Sequence, residues 1–262
     1  MFRQHIHRPF RVNGFLTDID AAYHSQFDYT TSGPDTTHAG KLNALAEVIC
    51  ENGDDNDWLI FIDGDAFPVS DLVAGLTPLF RSAPLVAVRR LENLGEKHPH
   101  PSFCATTIGF WKEIGANWNK GYRWINALNV EETDVGGELL RMLTERNIPW
   151  IPLHRSNAHN ILPVWYGIYG DLIYHHGAGF RSRGCRRVWY ERGLYRIYRR
   201  LDSRILNNVV PAGLLTAVRN SIIHPEGRRK RRIGRELDKI DANVKRRLFD
   251  DPDKFLASLR IP

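Results

Sequence analysis

The chain has 262 residues, of which 42% are hydrophobic and 25% charged, enough for one large α/β domain or a domain with an appendage. This composition excludes wholesale disorder, and the longest apolar runs, such as Trp58–Ile62, are too short to cross a membrane. The three cysteines, Cys50, Cys104 and Cys185, form no CxxC pair, which indicates a reducing compartment rather than a disulfide framework or a zinc knuckle. The sequence predicts no signal peptide, because its N-terminus lacks an apolar segment followed by small residues.

The net charge of +6 conceals a strong asymmetry along the chain. Residues 1–180 carry 14 Lys and Arg against 21 Asp and Glu, giving −7, whereas residues 181–262 carry 22 against 9, giving +13. Such a division indicates two parts with different partners. We therefore expect the acidic part to hold a cation and the basic part to face an anionic partner.

Hydrophobic patterns predict alternating strands and helices along the acidic part. Trp58–Asp63 is apolar on both faces, which favours a central strand of a parallel sheet. The alternation predicts an α/β fold with helices on both faces of the sheet. In chain order, the predicted elements are a strand at Phe10–Thr17, a helix at His38–Gly53, the strand Trp58–Asp63, a helix capped by Ser70 or Asp71 and ending at Phe80, strands at Pro84–Val88 and Phe103–Trp111, a helix at Asp134–Arg146 and a short strand beginning at Trp150–Pro152.

From Arg181 onward, arginines surround a broad helical stripe of apolar residues. We predict a catalytic domain at 1–183 and a basic helical extension at 184–262. The extension is either an amphipathic surface that binds an anionic membrane or a helical layer packed on the catalytic domain with solvated arginines. We favour packing for the stripe and an anionic surface for the run Arg228–Arg232. Nucleic acid is not expected, because no zinc-finger or RNP-type motif is present.

Asp63-Gly64-Asp65 follows the apolar run directly, at the carboxyl end of the predicted strand, where open α/β sheets bind their ligands. Two carboxylates this close repel one another unless a cation lies between them, and hard divalent ions prefer such oxygen ligands. The alternative is an Asp-Gly-Asp turn in which the side chains cap backbone amides.

The segments His38–Leu45 and Leu59–Pro68 resemble GT-A glycosyltransferases, in which a helix bearing Lys and Asn precedes the strand that delivers a DxD motif. The resemblance covers residues 10–183 and implies a Rossmann-like, mainly parallel sheet flanked by helices. It implies that the DxD holds Mn²⁺ or Mg²⁺ on the diphosphate of a nucleotide-sugar donor. Asp65 would be the more direct metal ligand, Asp63 would also lie near the donor ribose or sugar, and Lys41 and Asn43 would lie near the donor. Such a domain usually opens with an apolar strand that we expect to be missing here or supplied differently.

A second segment, Glu131–Leu143 followed by Ile148–Pro152, is similar to the stretch of inverting GT-A enzymes that carries the catalytic carboxylate. That carboxylate opens a helix, whose dipole holds it ionised and fit to act as a general base. The resemblance implies Asp134 as first choice and Glu132 as second. An N-terminal capping cluster is the alternative, and inversion or retention stays open.

A third segment, Tyr174–Arg183, matches the late histidine with which many GT-A enzymes close the metal shell, often three residues before a glycine. The resemblance implies His176 as metal ligand in preference to His175, and Arg181 and Arg183 as neutralising the diphosphate.

Two sets of side chains outside these segments have alternative interpretations. His98 and His100 stand beside prolines, which predicts an extended, exposed loop rather than a metal site. Aromatic residues further along would either stack on a sugar or belong to the core; they are Trp165, Tyr166 and Tyr169.

Taken together, the resemblance implies a metal-dependent glycosyltransferase that moves a sugar from a nucleotide-diphosphate sugar to a hydroxyl acceptor. The acceptor would be a saccharide or a lipid-linked molecule, in polysaccharide, lipopolysaccharide or glycolipid synthesis. We expect it in the cytoplasm, peripheral at the inner face of the plasma membrane. The alternatives are a sugar nucleotidyltransferase, whose N-terminal Gly-rich loop is not seen here, and a non-catalytic protein that binds anions or membranes through its basic tail.

Overall fold

The computed structural model describes residues 2–17, 19–33, 37–126, 129–162, 165–177 and 227–260, with the backbone alone for 227–234. The chain divides into two compact units, one of residues 1–155 and 168–174, the other of residues 156–167 and 175–262. The predicted boundary between residues 183 and 184, and the apolar stripe that follows it, lie outside the described residues. The fold is mixed α/β, as predicted, and the described part ends in helices.

Strands and helices alternate along the chain, and two helices follow at its C-terminal end. The strands are β1 (Asn13–Phe15), β2 (Tyr29–Thr31), β3 (Trp58–Ile62), β4 (Ala66–Pro68), β5 (Val86–Val88), β6 (His100–Thr107), β7 (Trp124–Ile125), β8 (Glu131–Glu132), β9 (Ile151–Leu153), β10 (Gly167–Tyr169) and β11 (Ile173–His175). The helices are α1 (Phe2–His5), α2 (His38–Asn52), α3 (Leu72–Phe80), α4 (Ile108–Glu113), α5 (Gly137–Glu145), α6 (Gly227–Asp250) and α7 (Pro252–Arg260), with a 3-10 helix at Ala21–Gln26.

The central sheet has the strand order β3–β6–β5–β9. Strand β6 pairs antiparallel with both β3 and β5, whereas β5 pairs parallel with β9. Strands β3, β5 and β9 therefore run in one direction and β6 runs against them. The prediction of a parallel sheet is thus confirmed in part, since three of the four strands share a direction and one opposes them. Among the described residues β3 lies at the end of this strand order and not at its centre, because an apolar run predicts burial on two faces but not the number or direction of the neighbouring strands.

Two apolar layers cover the two faces of this sheet. Alternate residues of each strand point to opposite faces, so Leu59, Phe61 and Cys104 enter one layer while Phe103 and Ala105 enter the other. The first layer includes side chains of α2, α4 and α5, and the second includes side chains of α3. Helices on both faces, as the alternation predicted, hold the strand ends in place for the site described below.

Local capping explains where most of these helices begin. The Asp71 Oδ1 atom accepts a hydrogen bond from the Ala74 N–H at 3.0 Å, so Asp71 caps α3 as predicted. The predicted strand Phe103–Trp111 is correct only as far as Thr107. There the Thr107 hydroxyl accepts a bond from the Phe110 N–H at 3.2 Å and starts α4.

A second sheet has the order β10–β11–β4. It brings residues 168–174, which return to the first unit, beside the strand that follows the Asp-Gly-Asp turn. The division into units falls within this sheet, since Tyr174 of β11 belongs to the first unit and His175 to the second. His175 is nevertheless the last residue of one continuous strand.

Helices α6 and α7 pack on one another within the second unit. The guanidinium of Arg247 lies 5.2 Å from the ring centroid of Phe255, and its Nη2 donates to the Ser258 hydroxyl at 2.7 Å. The His159 N–H donates to the carbonyl of Leu259 at 3.0 Å, which ties the 156–167 segment to the end of α7.

Both cysteines within the described residues are free thiols. Desolvation by burial raises the pKa of Cys104, which lies in the central sheet. Desolvation also raises the pKa of the half-buried Cys50, against an opposing effect of Lys112. Both thiols are therefore protonated at neutral pH, which makes them packing groups.

Candidate metal centre

The turn after β3 places two carboxylates at the carboxyl end of a buried strand. The Asp63 N–H donates to the carbonyl of Ser102 on β6 at 3.4 Å, and the Asp63 carbonyl accepts from the Ala66 N–H at 2.9 Å. These bonds close the turn before β4 begins. Asp63 and Asp65 are both half-buried, whereas Gly64 between them is exposed.

His175 completes a group of three potential ligands. One ligand atom from each of Asp63, Asp65 and His175 lies within 4.8 Å of the other two. The two carboxylates follow β3 and precede β4, and the histidine ends β11, the strand next to β4 in the second sheet. His175 is 4% exposed, so its ring is held in place by its surroundings.

The donor set fits a divalent transition ion with some oxygen preference. Two carboxylates suit Mg²⁺ and Mn²⁺ alike, and the imidazole favours Mn²⁺ over Mg²⁺. Three protein ligands leave coordination positions for water and for phosphate oxygens. Metal binding by Asp63, Asp65 and His175 stays a prediction that this geometry makes specific.

The structure places the two neighbouring histidines in different environments. We expected His176 to face the metal, yet its Nε2 lies 3.2 Å from Oδ1 of Asp241 on α6, and only His175 belongs to the three-ligand group. Adjacent residues at a strand end point in opposite directions, so a single position decides which ring reaches the carboxylates. A spacing rule to a later glycine could not distinguish them.

His38 is a contact of the site that the sequence did not single out. Its Nε2 lies 2.9 Å from Oδ1 of Asp63. Thr37 caps α2 by accepting a bond from the Gly40 N–H at 3.1 Å, which fixes the first helical turn and with it His38. The signal that would have found it is an imidazole in the first turn of the helix that precedes the DxD strand.

Lys41 and Asn43 both have partners within the protein. The Lys41 Nζ donates to the Thr17 hydroxyl at 2.8 Å and lies 5.6 Å from the centroid of Phe15, beside β1. Asn43 accepts from the Trp118 N–H at 2.8 Å and donates to Asn119 Oδ1 at 3.0 Å. Contact of either with a donor stays a prediction, and Asn43 already has a structural role.

The loop that Asn43 holds also receives the start of α5. The carbonyl of Trp118 accepts from the Gly136 N–H at 3.0 Å, and the carbonyl of Asn119 accepts from the Glu138 N–H at 2.9 Å. Asn43 of α2 is thus connected through two backbone carbonyls to the first turn of α5. The chain segment that carries the predicted general base is positioned by this connection.

The predicted general bases stand before α5. The helix begins at Gly137, not at Asp134, because Gly136 adopts a left-handed conformation with φ of 94° at the N-cap. Asp134 precedes it, with Oδ1 accepting from the Val135 N–H at 2.9 Å, and Glu132 lies in β8 opposite Trp124. The dipole argument for Asp134 therefore does not hold as stated, while its role as a base stays a prediction.

The acidic residue in the first turn of α5 is Glu138. It bonds to Arg141, and this hydrogen bond lowers the pKa of its carboxyl. Glu138 is thus held ionised by a neighbour on the same helix. It serves the helix and has no part in the three-ligand group.

The histidines beside the prolines are buried, contrary to the predicted exposed loop. His98 is 0% exposed and its ring stacks on Trp124 at 4.6 Å, while His100 is 8% exposed and opens β6. The Nδ1 of His100 lies 2.8 Å from the Ser102 hydroxyl. Proline predicted the extended backbone, but long-range packing decided the burial.

The loop before these histidines is built on a buried ion pair. Arg90 binds Glu96 through two hydrogen bonds of 2.9 and 2.8 Å, and Asn93 also donates to Glu96. Burial lowers the pKa of Arg90, but the Glu96 carboxylate more than offsets this and raises it overall. The pair fixes the loop that leads to His98.

The aromatic residues that could have stacked on a sugar belong to the core. Trp165, Tyr166 and Tyr169 are 6%, 0% and 1% exposed. The Tyr169 hydroxyl donates to Glu92 Oε1 at 2.5 Å, and burial raises its pKa well above the usual value. Sugar stacking by these residues was the wrong interpretation.

Arg181 and Arg183, predicted to neutralise the diphosphate, lie outside the described residues. Arg228–Arg232 belongs to the first turns of α6, where the backbone alone is described. Among the residues that the structure describes, no helix has the length and apolar character needed to cross a membrane.

Comparison with known proteins adds no relative. No protein-family model, curated protein or solved structure matches the chain.

Proposed function

We propose that the chain is a metal-dependent glycosyltransferase. It would transfer a sugar from a nucleotide-diphosphate sugar to a hydroxyl group of a saccharide or lipid-linked acceptor. The observation that supports this most directly is the group of Asp63, Asp65 and His175, with ligand atoms within 4.8 Å of one another after a buried strand. The resemblance of the surrounding segments to GT-A enzymes connects that group to donor chemistry.

The electrostatics of the group favour a bound cation. Two half-buried carboxylates at this separation repel each other, and a divalent ion removes that repulsion. The imidazole of His175 makes Mn²⁺ the better candidate. When bound, the ion would neutralise the donor diphosphate and stabilise the departing nucleoside diphosphate.

The protein side chains have separate tasks in this proposal. Asp65 holds the ion directly. Asp63 is oriented by His38 at 2.9 Å and would also face the donor sugar or ribose. His175 completes the ligand set from β11. Lys41 bonds to Thr17 beside β1, and in this proposal it would contact the donor.

Proton transfer requires a further carboxylate, for which we propose Asp134, with Glu132 as the second choice. The carboxylate accepts the proton of the acceptor hydroxyl as that oxygen forms a bond to the anomeric carbon. The bond from the anomeric carbon to the diphosphate oxygen breaks, and the nucleoside diphosphate leaves with the electron pair. This single displacement describes inversion, whereas retention would require a different path.

The basic C-terminal part suggests where the acceptor is. Residues 181–262 carry a net charge of +13, and α6 begins with the run Arg228–Arg232. We propose that this part attracts an anionic surface such as the inner leaflet of the plasma membrane, where lipid-linked acceptors are found. The enzyme would then be peripheral at that membrane.

A thermal-shift screen of nucleotide sugars with and without Mn²⁺ tests the proposal. A ligand that binds only the folded state raises the unfolding temperature, so one donor that acts only with Mn²⁺ would identify both class and donor. The variant Asp65→Asn should lose this response, while Glu51→Gln on the exposed surface of α2 should keep it. No response to any donor in the wild type would remove the proposal.

Product analysis separates the two enzyme classes. A glycosyltransferase consumes the sugar nucleotide and releases a nucleoside diphosphate. A sugar nucleotidyltransferase forms a sugar nucleotide from a nucleoside triphosphate and a sugar phosphate, releasing pyrophosphate. If the second reaction is detected and the first is not, the protein would be a sugar nucleotidyltransferase.

A further inference from the structure

The residue after the metal-facing histidine is tied to the C-terminal helix. His176 is 2% exposed, and its Nε2 lies 3.2 Å from Oδ1 of Asp241 on α6. The hydroxyl of Tyr166 donates to the same oxygen at 3.1 Å, and Lys245 lies 2.8 Å from the other oxygen. Asp241 therefore has contacts on both carboxylate oxygens, within the second unit.

His176 is fixed through its backbone as well as its ring. Its carbonyl accepts from the Tyr166 N–H at 3.2 Å, and the two rings meet edge-on with centroids 4.8 Å apart. Asp241 is partly buried, with a side chain 16% exposed, and the positive charge of Lys245 compensates it there. A residue held at its ring and its carbonyl has little freedom to rotate.

This anchoring has a consequence for the preceding residue. His175 is the last residue of β11, and side chains of adjacent residues in extended chain point to opposite sides. Holding His176 against Asp241 therefore fixes the direction in which the His175 ring leaves the backbone. If His176 turned, His175 would turn with it.

We infer that Asp241 is a positioning residue for the metal centre, acting through His176 on the ligand His175. Helix α6 thereby contributes a positioning residue to the metal centre and is not only a basic surface. The inference rests on the proposed function, because it requires the centre to bind a divalent ion. Residues behind a metal ligand commonly change metal affinity by about 10- to 100-fold when removed.

The experiment measures Mn²⁺ affinity of the full chain from the electron paramagnetic resonance signal of free Mn²⁺. Asp241→Asn should raise the Kd about tenfold, the lower end of the range for groups behind a ligand. Asp238→Asn is the matched control, since Asp238 is an exposed residue of the same helix. Its Kd should stay within about twofold of the wild type, as for an exposed surface charge.

A second control separates positioning from general loosening of α6. Leu237 is 4% exposed on the same helix, so Leu237→Ala destabilises the helix through packing and leaves Asp241 in place. All variants are measured at a temperature where circular dichroism shows them folded. Leu237→Ala should keep an Mn²⁺ Kd close to that of the wild type.

Three results would overturn the inference, and they are distinguishable. Wild-type affinity in Asp241→Asn would make the contact purely structural. An equal loss in Leu237→Ala would assign the effect to helix stability. A wild-type chain that binds no Mn²⁺ would remove the metal centre and the proposed function together. If the wild type and Asp241→Asn bind Mn²⁺ equally well, only the inference about Asp241 fails.

Discussion

The Nε2 atom of His38 lies 2.9 Å from Oδ1 of Asp63, which joins the first turn of α2 to the end of β3. The side chains of His38 and Asp63 are 39% and 17% exposed, so the pair borders solvent on the histidine side. One oxygen of Asp63 is thereby oriented before any ligand arrives. The contact therefore sets the direction in which the carboxylate of Asp63 can bind a metal ion.

We predict that His38→Ala weakens Mn²⁺ binding about tenfold, as for other groups that orient a metal ligand. The unfolding temperature without metal should change little, because His38 is a partly exposed residue. His24→Ala is the control, since His24 is exposed in the 3-10 helix. Isothermal titration with Mn²⁺ measures the effect, and equal affinity in both variants would show that the contact with Asp63 is dispensable.

Asp65→Ala should abolish detectable Mn²⁺ binding and reduce sugar transfer by roughly 100-fold or more, because a catalytic metal contributes several kcal/mol to the transition state. The fold should persist, since Asp65 lies in a turn and leaves the apolar layers untouched. Glu51→Ala, on the exposed surface of α2, provides the control for charge removal. Full activity in Asp65→Ala would exclude the metal mechanism.

The two histidines should respond differently to the same substitution. His175→Ala removes a member of the three-ligand group and should raise the Mn²⁺ Kd by about 100-fold or more, in line with loss of a direct ligand. His176→Ala removes one of the contacts of Asp241, and its loss of affinity should be nearer tenfold. Titration of both variants decides the order, and a larger loss in His176→Ala would restore it as the ligand.

Asp134→Asn should bind the donor normally and turn over slowly, with a kcat about 100- to 10,000-fold lower, the usual contribution of a general base. The amide keeps an oxygen that can accept from the Val135 N–H, so the local backbone should be preserved. Glu132→Gln is the matched comparison. A loss confined to Glu132→Gln would reassign the base, and a loss of donor binding in Asp134→Asn would make Asp134 a binding residue.

Gly136 and Gly64 should differ sharply in their tolerance of alanine. At Gly136, with φ of 94°, an added Cβ would overlap the carbonyl oxygen of Pro99 and lie 3.2 Å from His98. Gly136→Ala should therefore cost roughly 2–4 kcal/mol of the free energy of unfolding. At Gly64 a Cβ meets nothing within 4 Å, so Gly64→Ala should stay within about 1 kcal/mol of the wild type. Urea denaturation measures both, and equal stability would contradict the geometry.

Those parts of the fold that depend on neighbouring residues in sequence were predicted well. Helix α2 spans His38–Asn52 against a predicted His38–Gly53, and Asp71 caps α3 as expected, because periodicity and caps are local. The start of α4 was also encoded locally, in the hydroxyl of Thr107, but the β-branched Thr106 and Ile108 on either side of it concealed the cap.

Features that depend on long-range pairing were not predictable in the same way. Strand β6 is buried along all but its last residue, as a central parallel strand would be, and its reversed direction follows from its pairing with β3 and β5. His98 was assigned to an exposed loop because its proline neighbours are local, whereas Trp124, which covers it, is distant in sequence.

The same difference between local and long-range features applies to the candidate site. Asp63 and Asp65 could be proposed from sequence, because a carboxylate pair after an apolar strand is a contiguous signal. The choice of His175 over His176 depends on the pairing of β11 with β4, and on which face of that sheet each histidine side chain points to. The contact of His38 with Asp63 depends on where the first turn of α2 meets the end of β3.

The antiparallel strand β6 has a consequence for the order in which the site forms during synthesis. Residues 103–107 of β6 pair with the whole of β3, and the carbonyl of Ser102 holds the Asp63 N–H. Until the ribosome has released about forty residues beyond Asp63, the turn that carries the carboxylates has no strand beside it. Its acidic groups then repel one another in an unpaired segment, and the carboxylates are positioned only when the later strand inserts between β3 and β5. The third member of the group, His175, is synthesised later still.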